Sequence, residues 1–200
     1  MQTMTSCAAC GANLADDAQY CQRCATNRED PNTRPLFVVD GMTGLFNQTF
    51  TQALVDHETS RAIRYKRPLT ILMADIDHRE FVHRDLGPAG AAELYRELAG
   101  VLATAVRDID TVGFMGDAFC IVLPETDQTG AMVAADKILH AVALFQFNQP
   151  GNWARLTISA GAASVNFERM GKQDLAGAAH QALLAGINEG NNRVHINHQM

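Results

Sequence analysis

The sequence is built around one stretch, Asp110-Thr-Val-Gly-Phe-Met-Gly-Asp-Ala-Phe-Cys-Ile-Val-Leu-Pro124. Two apolar runs flank a short tip at residues 115–118, and apolar residues alternate after that tip. A Gly-Asp pair between alternating apolar runs predicts a β-hairpin whose turn accepts positive φ. The hairpin would therefore present one carboxylate, that of Asp117, at its tip.

Two further carboxylates, Asp75 and Asp77, follow the apolar run at residues 69–74. If the strand formed by this run is a neighbour of the hairpin, the three carboxylates converge at one end of a sheet. Carboxylate oxygens are the ligands that hard cations such as Mg²⁺ prefer. The sequence therefore predicts a hard-cation site formed by Asp75, Asp77 and Asp117.

Length and composition limit the classes of protein to which the chain can belong. Its 200 residues, 47% of them hydrophobic, suffice for one ordinary domain and a small module. A formal net charge of −6 argues against a general nucleic-acid or membrane surface. No run approaches the roughly 18 apolar residues of a membrane span, and the N-terminus lacks the features of a secretory signal. We therefore expect a cytoplasmic protein with no membrane partner.

Four of the five cysteines form two CxxC pairs, Cys7 with Cys10 and Cys21 with Cys24. Four thiolates at this spacing can hold a tetrahedral Zn²⁺. The segment between the pairs is too short for a core, so the metal would supply the folding free energy. The alternatives are two local disulfides or a redox-active CxxC, and the lack of a signal peptide favours zinc. The stretch resembles a short bacterial zinc ribbon.

The predicted ribbon spans residues 1–26, and a polar, proline-containing linker spans residues 27–37. Residues 1–30 carry Arg23 and Arg28 but four carboxylates, so the region is net acidic. Phosphate contacts require a basic face. The charge therefore argues against a nucleic-acid partner and favours a protein partner or a purely structural role.

The remaining residues, 38–200, show the pattern of an α+β domain. Periodicity predicts a first helix that Pro68 ends, a strand at 69–74 and a helix from about Pro88 to Val106. After the hairpin come a helix at 129–144, a strand at 156–165, a helix at 174–188 and a strand at 193–196. The order β-α-β-β-α-β predicts a ferredoxin-like sandwich, with one antiparallel sheet and helices on one side.

These motifs, in this order, resemble the GGDEF family, the diguanylate cyclases that join two GTP molecules into cyclic di-GMP. The entry motif is Asp40-Gly-Met-Thr-Gly-Leu-Phe-Asn47, and the signature on the hairpin reads Met115-Gly-Asp-Ala-Phe119. The resemblance covers about residues 38–197 and implies a nucleotidyl-cyclase-type sandwich. The signature departs from the family at Met115 and Ala118.

The resemblance also implies which catalytic partners are lost. Asp75, the backbone carbonyl of Ile76 and Asp117 match the family's metal positions, while Arg79-Glu80 replaces a Phe-Lys pair. Ala118 replaces a carboxylate that binds metal in the family. His83 and Ala92 replace two residues that bind guanine, and Ile187 and Asn191 replace two cations that bind phosphate. Each loss alone can cost orders of magnitude in transition-state stabilisation. The resemblance thus implies a catalytically inactive domain in which Asp75 and Asp117 are vestiges.

One ligand-binding feature of the family is retained in spacing. Arg107-Asp-Ile-Asp110 matches the Arg-x-x-Asp of the family's inhibitory site for cyclic di-GMP, and Lys137 on the next helix stands where a second cation helps. The spacer from Asp110 to the signature is one residue shorter than in the family. The alternative is an arginine that ends a helix, followed by a surface aspartate.

The sequence thus predicts an inactive signalling regulator, either a cyclic di-GMP-responsive effector or a protein-interaction module. The alternative is a weak or retuned cyclase, or another nucleotide-binding enzyme, that uses Asp75 and Asp117. The predicted cofactor is structural Zn²⁺, and the partner protein stays unidentified.

Overall fold

The computed structural model describes residues 38–168 and 173–197, and the strand residues 5–6 and 13–14. The chain divides into two compact units, Met1–Val38 and Val39–Met200. In the first unit, β1 (Thr5–Ser6) pairs antiparallel with β2 (Asn13–Leu14). The four predicted zinc ligands and the linker lie outside the described residues, so the ribbon stays a prediction.

The described residues of the second unit form a five-stranded sheet and four α-helices. Its strands are β3 (Leu69–Ile76), β4 (Thr111–Met115), β5 (Ala118–Pro124), β6 (Ile158–Ser164) and β7 (Val194–Ile196). Its helices are α1 (Gln48–Tyr65), α2 (Val82–Ala105), α3 (Gln128–Leu144) and α4 (Leu175–Glu189). The α+β class and the predicted order of these elements are confirmed.

The sheet is mixed, with the strand order β4-β5-β3-β6-β7. Strand β3 is antiparallel to both β5 and β6, but β7 is parallel to β6. The prediction of a purely antiparallel sheet is therefore wrong. The parallel pair arises because α4 crosses over between β6 and β7, as parallel strands require.

Helices cover both faces of the sheet, so the prediction of helices on one side is also wrong. Every residue of β3 is buried. On one face Leu72 and Ile76 join a core cluster with α2 and α3, and on the other Leu69 and Ile71 join one with α1 and α4. A strand buried on both faces has a near-continuous apolar run rather than an alternating one, and residues 69–74 show such a run, interrupted only by Thr70.

Two glycines set the backbone around the site. Gly116 has φ 68° at the first position of the two-residue turn between β4 and β5, where a type II′ turn needs glycine. Gly87 interrupts α2 with φ 67° and ψ 177°, and the regular helix resumes at Pro88. The hairpin and the helix start near Pro88 are therefore confirmed.

A third glycine, Gly161 of β6, lets α4 pack directly on the sheet. A Cβ atom at this position would overlap backbone atoms of Ala179 and Leu183. Because backbone cannot rotate away, we expect Gly161→Ala to lower the free energy of unfolding by about 3 kcal/mol. Urea denaturation of the full chain measures this loss.

Gly100→Ala is the matched control, since a Cβ at Gly100 on the exposed face of α2 would meet no atom within 4 Å. Alanine there should stabilise the protein by roughly 0.5–1 kcal/mol. An equal effect of the two substitutions would contradict the close approach of α4 to β6.

Candidate functional site at the hairpin tip

The end of β3 and the tip of the hairpin lie side by side. Ala74 pairs with Phe119, so Asp75 lies opposite Ala118, one residue from the turn that carries Asp117. The guanidinium of Arg79 contacts both carboxylates: its Nε is 3.1 Å from Asp75 Oδ2, and its Nη1 forms an ion pair with Asp117 Oδ2. The same Nη1 donates to the backbone carbonyl of Asp117 at 3.4 Å. The expected convergence of Asp75 and Asp117 is confirmed.

The two carboxylates differ in exposure. The side chain of Asp75 is 7% exposed and that of Asp117 is 59% exposed. Burial raises the pKa of the Asp75 carboxyl to about 7, although Arg79 opposes this rise. Burial lowers the pKa of Arg79, but Asp75 and Asp117 more than compensate and raise it. Arg79 is therefore a permanent cation between the two acidic groups.

Asp77 does not join this site, so the prediction that its carboxylate converges with those of Asp75 and Asp117 is wrong. Its carboxylate accepts hydrogen bonds from Thr157 Oγ1 at 2.5 Å, Ser159 Oγ at 2.6 Å and the backbone N–H of Asn192 at 2.9 Å. These donors come from β6, from Thr157 just before it and from the segment before β7, on the side of β3 away from the hairpin. Asp77 is therefore a structural acceptor that ties three segments together.

Replacement of Asp77 tests this structural role. We expect Asp77→Ala to lower the free energy of unfolding by roughly 3 kcal/mol, because three donors lose a charged, buried acceptor. Urea denaturation measures the change, and Asp136→Ala, an exposed carboxylate on α3, should change stability by less than about 0.5 kcal/mol. A loss as small as that of the control would contradict this role.

The carboxylate that the family resemblance implies at position 118 is replaced by a packed methyl group. Ala118 is 1% exposed and belongs to the core cluster shared with α1 and α4. Side chains alternate along a strand, so Asp75 lies on the same face of β3 as Ile71 and Met73 of that cluster. Ala118 thus places a methyl group on the face where a third ligand would have to stand beside Asp75.

The positions that the resemblance assigns to guanine and phosphate contacts hold no such groups. His83 is exposed at the start of α2, and Ala92 is half-buried on the same helix. Ile187 packs against the core cluster of α1 and α4. The side chain of Asn191 is hydrogen-bonded to His78 Nε2 at 2.9 Å. None of these four positions supplies an acidic group for a base or a strong cation for a triphosphate.

A divalent cation, which the resemblance implies, does not fit the residues present at the tip. Both available carboxylates are engaged by Arg79, and the third position is Ala118. Among residues 38–168 and 173–197, no group of three or more His, Cys, Asp or Glu side chains could hold a metal ion. We did not predict from the sequence that Arg79 bridges the two carboxylates. The sequence did contain a signal for this role, because a cationic residue replaces an apolar one just after Asp75 and Asp77.

Arg107 and Asp110 form a closed turn between α2 and β4. Asp110 Oδ2 accepts from the backbone N–H of Arg107 at 2.9 Å, and the Asp110 N–H donates to the Arg107 carbonyl at 2.9 Å. Asp110 Oδ1 is buried without a hydrogen-bond partner. The side chains of Arg107 and Lys137 are exposed. In the part of the chain that the structure describes, Lys137 makes no polar contact with this turn.

The turn and the hairpin tip lie at opposite ends of the sheet. Thr111, next to Asp110, pairs with Val122, which pairs with Ile71 near the start of β3. Asp75 lies near the other end of the same strand. A ligand at the turn would therefore not touch the tip.

Comparisons with known proteins agree with this fold. A family model described as diguanylate cyclase, GGDEF domain, matches residues 37–193. Diguanylate cyclase A of Treponema denticola is 30% identical over 130 residues, which are 64% of this chain and 35% of that protein. The probable diguanylate cyclase DgcC of Escherichia coli is 27% identical over 159 residues, 78% of this chain and 42% of that protein. The chain thus spans less than half the length of these curated relatives.

Solved structures show the same fold. The GGDEF domain of DgcB from Caulobacter crescentus, solved in complex with c-di-GMP, superposes with a TM-score of 0.73 at 20% identity. The match covers 82% of this chain and 98% of that one. None of the helices that the structure describes is both long and apolar enough to cross a membrane.

Proposed function

The chain belongs to the GGDEF family of diguanylate cyclases, and we propose that it is a signalling regulator that makes no cyclic di-GMP and responds to this nucleotide through Arg107 and Asp110. Lys137 would add a second cation to the same ligand. We also propose that residues 1–26 form a zinc ribbon, held by Cys7, Cys10, Cys21 and Cys24, that contacts a protein partner.

The observation that carries the loss of cyclase activity is the composition of the tip. A buried methyl group, Ala118, stands where a metal carboxylate would be needed beside Asp75. The guanine and phosphate positions are altered as well, so no single substitution accounts for the loss. Phosphoryl transfer depends almost entirely on positioning and charge stabilisation, which these residues cannot supply.

The proposed response to cyclic di-GMP is supported by the turn at residues 107–110. An exposed guanidinium can bind a phosphate or a guanine edge with two parallel hydrogen bonds. An aspartate can accept from the amine and ring N–H of guanine. Asp110 Oδ1 has no partner, and a ligand donor that reached this oxygen would satisfy it. The GGDEF domain of DgcB was solved with this dinucleotide bound.

Calorimetric titration of the full chain with cyclic di-GMP tests the proposal. We expect binding, and we expect Arg107→Ala to weaken it at least about 30-fold, because a desolvated bidentate contact is lost. Asp110→Asn keeps an oxygen that can accept from the Arg107 N–H but removes the charge, so it should weaken binding less and relax the preference for guanine.

Two controls distinguish the turn from the tip. Asp117→Ala at the hairpin tip and Arg155→Ala, an exposed arginine just before β6, should leave the affinity unchanged. If the wild-type protein gives no heat at high micromolar cyclic di-GMP, the response to the nucleotide is refuted. The chain would then act through protein contact alone.

A further inference from the structure

We propose that the guanidinium of Arg79 takes the place of a divalent cation between Asp75 and Asp117, which closes the tip to metal ions. The inference rests on the proposed function, because it concerns the same site and gives a physical reason for the proposed loss of cyclase activity. It predicts a property, metal exclusion, that can be measured without any nucleotide.

The charges at the tip require a cation. Asp75 is almost fully buried, and a buried carboxylate is costly unless a partner compensates it. Arg79 compensates Asp75 through Nε and Asp117 through Nη1, so separate nitrogens of one rigid group serve the two carboxylates. A Mg²⁺ ion bound to both residues would have to lie within about 2.1 Å of their oxygens. That is the space that the guanidinium fills.

The backbone directs Arg79 to this position. His78 has φ 60° and ψ 32°, and a 3-10 turn at Arg79–Phe81 follows immediately. The chain therefore turns directly after β3. Asp77 is held on the β6 side by its three donors, whereas Arg79 emerges on the hairpin side. Although the side chain of Arg79 is 40% exposed, its ion pairs with Asp75 and Asp117 anchor its charged end.

A metal ion competes poorly with this arrangement. Arg79 is attached to the site, so its effective concentration there is set by the chain and not by solution. Mg²⁺ gives up its water reluctantly and binds through carboxylates in near-octahedral geometry. With Ala118 on the strand opposite Asp75, two carboxylates at most could hold the ion. The covalently attached cation is therefore favoured over the dissolved one.

Binding of Mn²⁺, an oxygen-preferring probe visible by electron paramagnetic resonance, tests the inference on the full chain without nucleotide. Wild-type protein should bind no Mn²⁺ at the tip at concentrations up to about 1 mM. Arg79→Met removes the charge but keeps a long side chain. It should bind Mn²⁺ at least about tenfold more tightly than wild type, since a repelling charge is gone. Mn²⁺ should also raise its thermal unfolding midpoint.

Three further variants make the result specific. Adding Asp117→Asn to Arg79→Met should abolish the gained Mn²⁺ binding. Arg84→Met is the matched control, because Arg84 lies in the same segment but pairs with Asp85 instead. It should behave as wild type. Arg79→Gln, which keeps a polar side chain, replaces Arg79→Met if that variant does not fold, and it should also gain Mn²⁺ binding.

Two results would overturn the inference. One is Mn²⁺ binding by the wild-type protein that the single substitution Asp117→Asn abolishes. This result can be obtained without any Arg79 variant. The other is a folded Arg79 variant that gains no Mn²⁺ binding. Neither result bears on whether cyclic di-GMP binds at Arg107, so failure here and failure of the proposed function are separable.

Discussion

Purified protein incubated with GTP and Mg²⁺ should release no measurable cyclic di-GMP. Under the proposed loss of activity, five positions that the family resemblance assigns to the reaction lack their partners: a metal ligand at Ala118, base contacts at His83 and Ala92, and phosphate cations at Ile187 and Asn191. Loss of one preformed electrostatic contact typically costs about 10²–10³ in rate. Several such losses place turnover below detection. Chromatographic analysis of the nucleotides after prolonged incubation measures the product.

Ala118→Glu should not rescue this reaction. The new carboxylate would have to enter a packed position that is 1% exposed, and Arg79 would still bridge Asp75 and Asp117. The base and phosphate contacts would also still be absent. An active diguanylate cyclase assayed in parallel shows that the assay detects product. Cyclic di-GMP formed by the wild-type chain, or by the single variant, would instead favour a weak cyclase that uses Asp75 and Asp117.

Local sequence signals predicted the secondary structure well because each one acts within a few residues. The Gly-Asp pair at 116–117 gave the hairpin, since its turn needs positive φ at Gly116. Pro88 marked the start of the regular part of α2, because proline is accommodated in the first helical turn. Strand β3 extends two residues beyond the apolar run and includes Asp75, since pairing with β6 continues to Ile76.

Features that depend on distant residues were predicted less well. Strand β3 is buried by α1 and α4 on one face of the sheet and by α2 and α3 on the other. The apolar run of β3 does not by itself show whether helices cover one face of the sheet or both. Asp75 and Asp77 have the same side chain, yet Asp77 is held by Ser159 and Thr157 while Asp75 meets Arg79. Only the strand order separates these two roles.

A single residue decides which kind of site the two converging carboxylates form. Asp75 and Asp117 converge as the sequence predicted, but the residue that joins them is Arg79. A pair of carboxylates is compatible with a metal ion or with a guanidinium, and the choice depends on which cation the fold delivers. Under the proposed loss of cyclase activity, Asp75 keeps a structural role, because removing one partner of a buried ion pair is destabilising.

Removal of zinc should have the other large effect. We expect one Zn²⁺ per chain by elemental analysis, bound by Cys7, Cys10, Cys21 and Cys24, because four thiolates at this spacing close a tetrahedral site. Metal binding supplies about 10–16 kcal/mol in comparable zinc-finger peptides. Chelation should therefore unfold the N-terminal unit. It should leave Val39–Met200 folded, since that unit has its own apolar core.

A cysteine outside the two pairs provides the matched control. Cys21→Ser should abolish the bound zinc, whereas Cys120→Ala should retain it. Cys120 is fully buried in β5, and burial raises the pKa of its thiol to about 12, so it cannot offer the thiolate that zinc needs. Far-UV circular dichroism during chelation should show only a small change in helix signal, because the four α-helices that the structure describes lie in the larger unit. The predicted ribbon would be refuted if protein purified from a reducing cytoplasm carried no zinc or contained a disulfide within either CxxC pair.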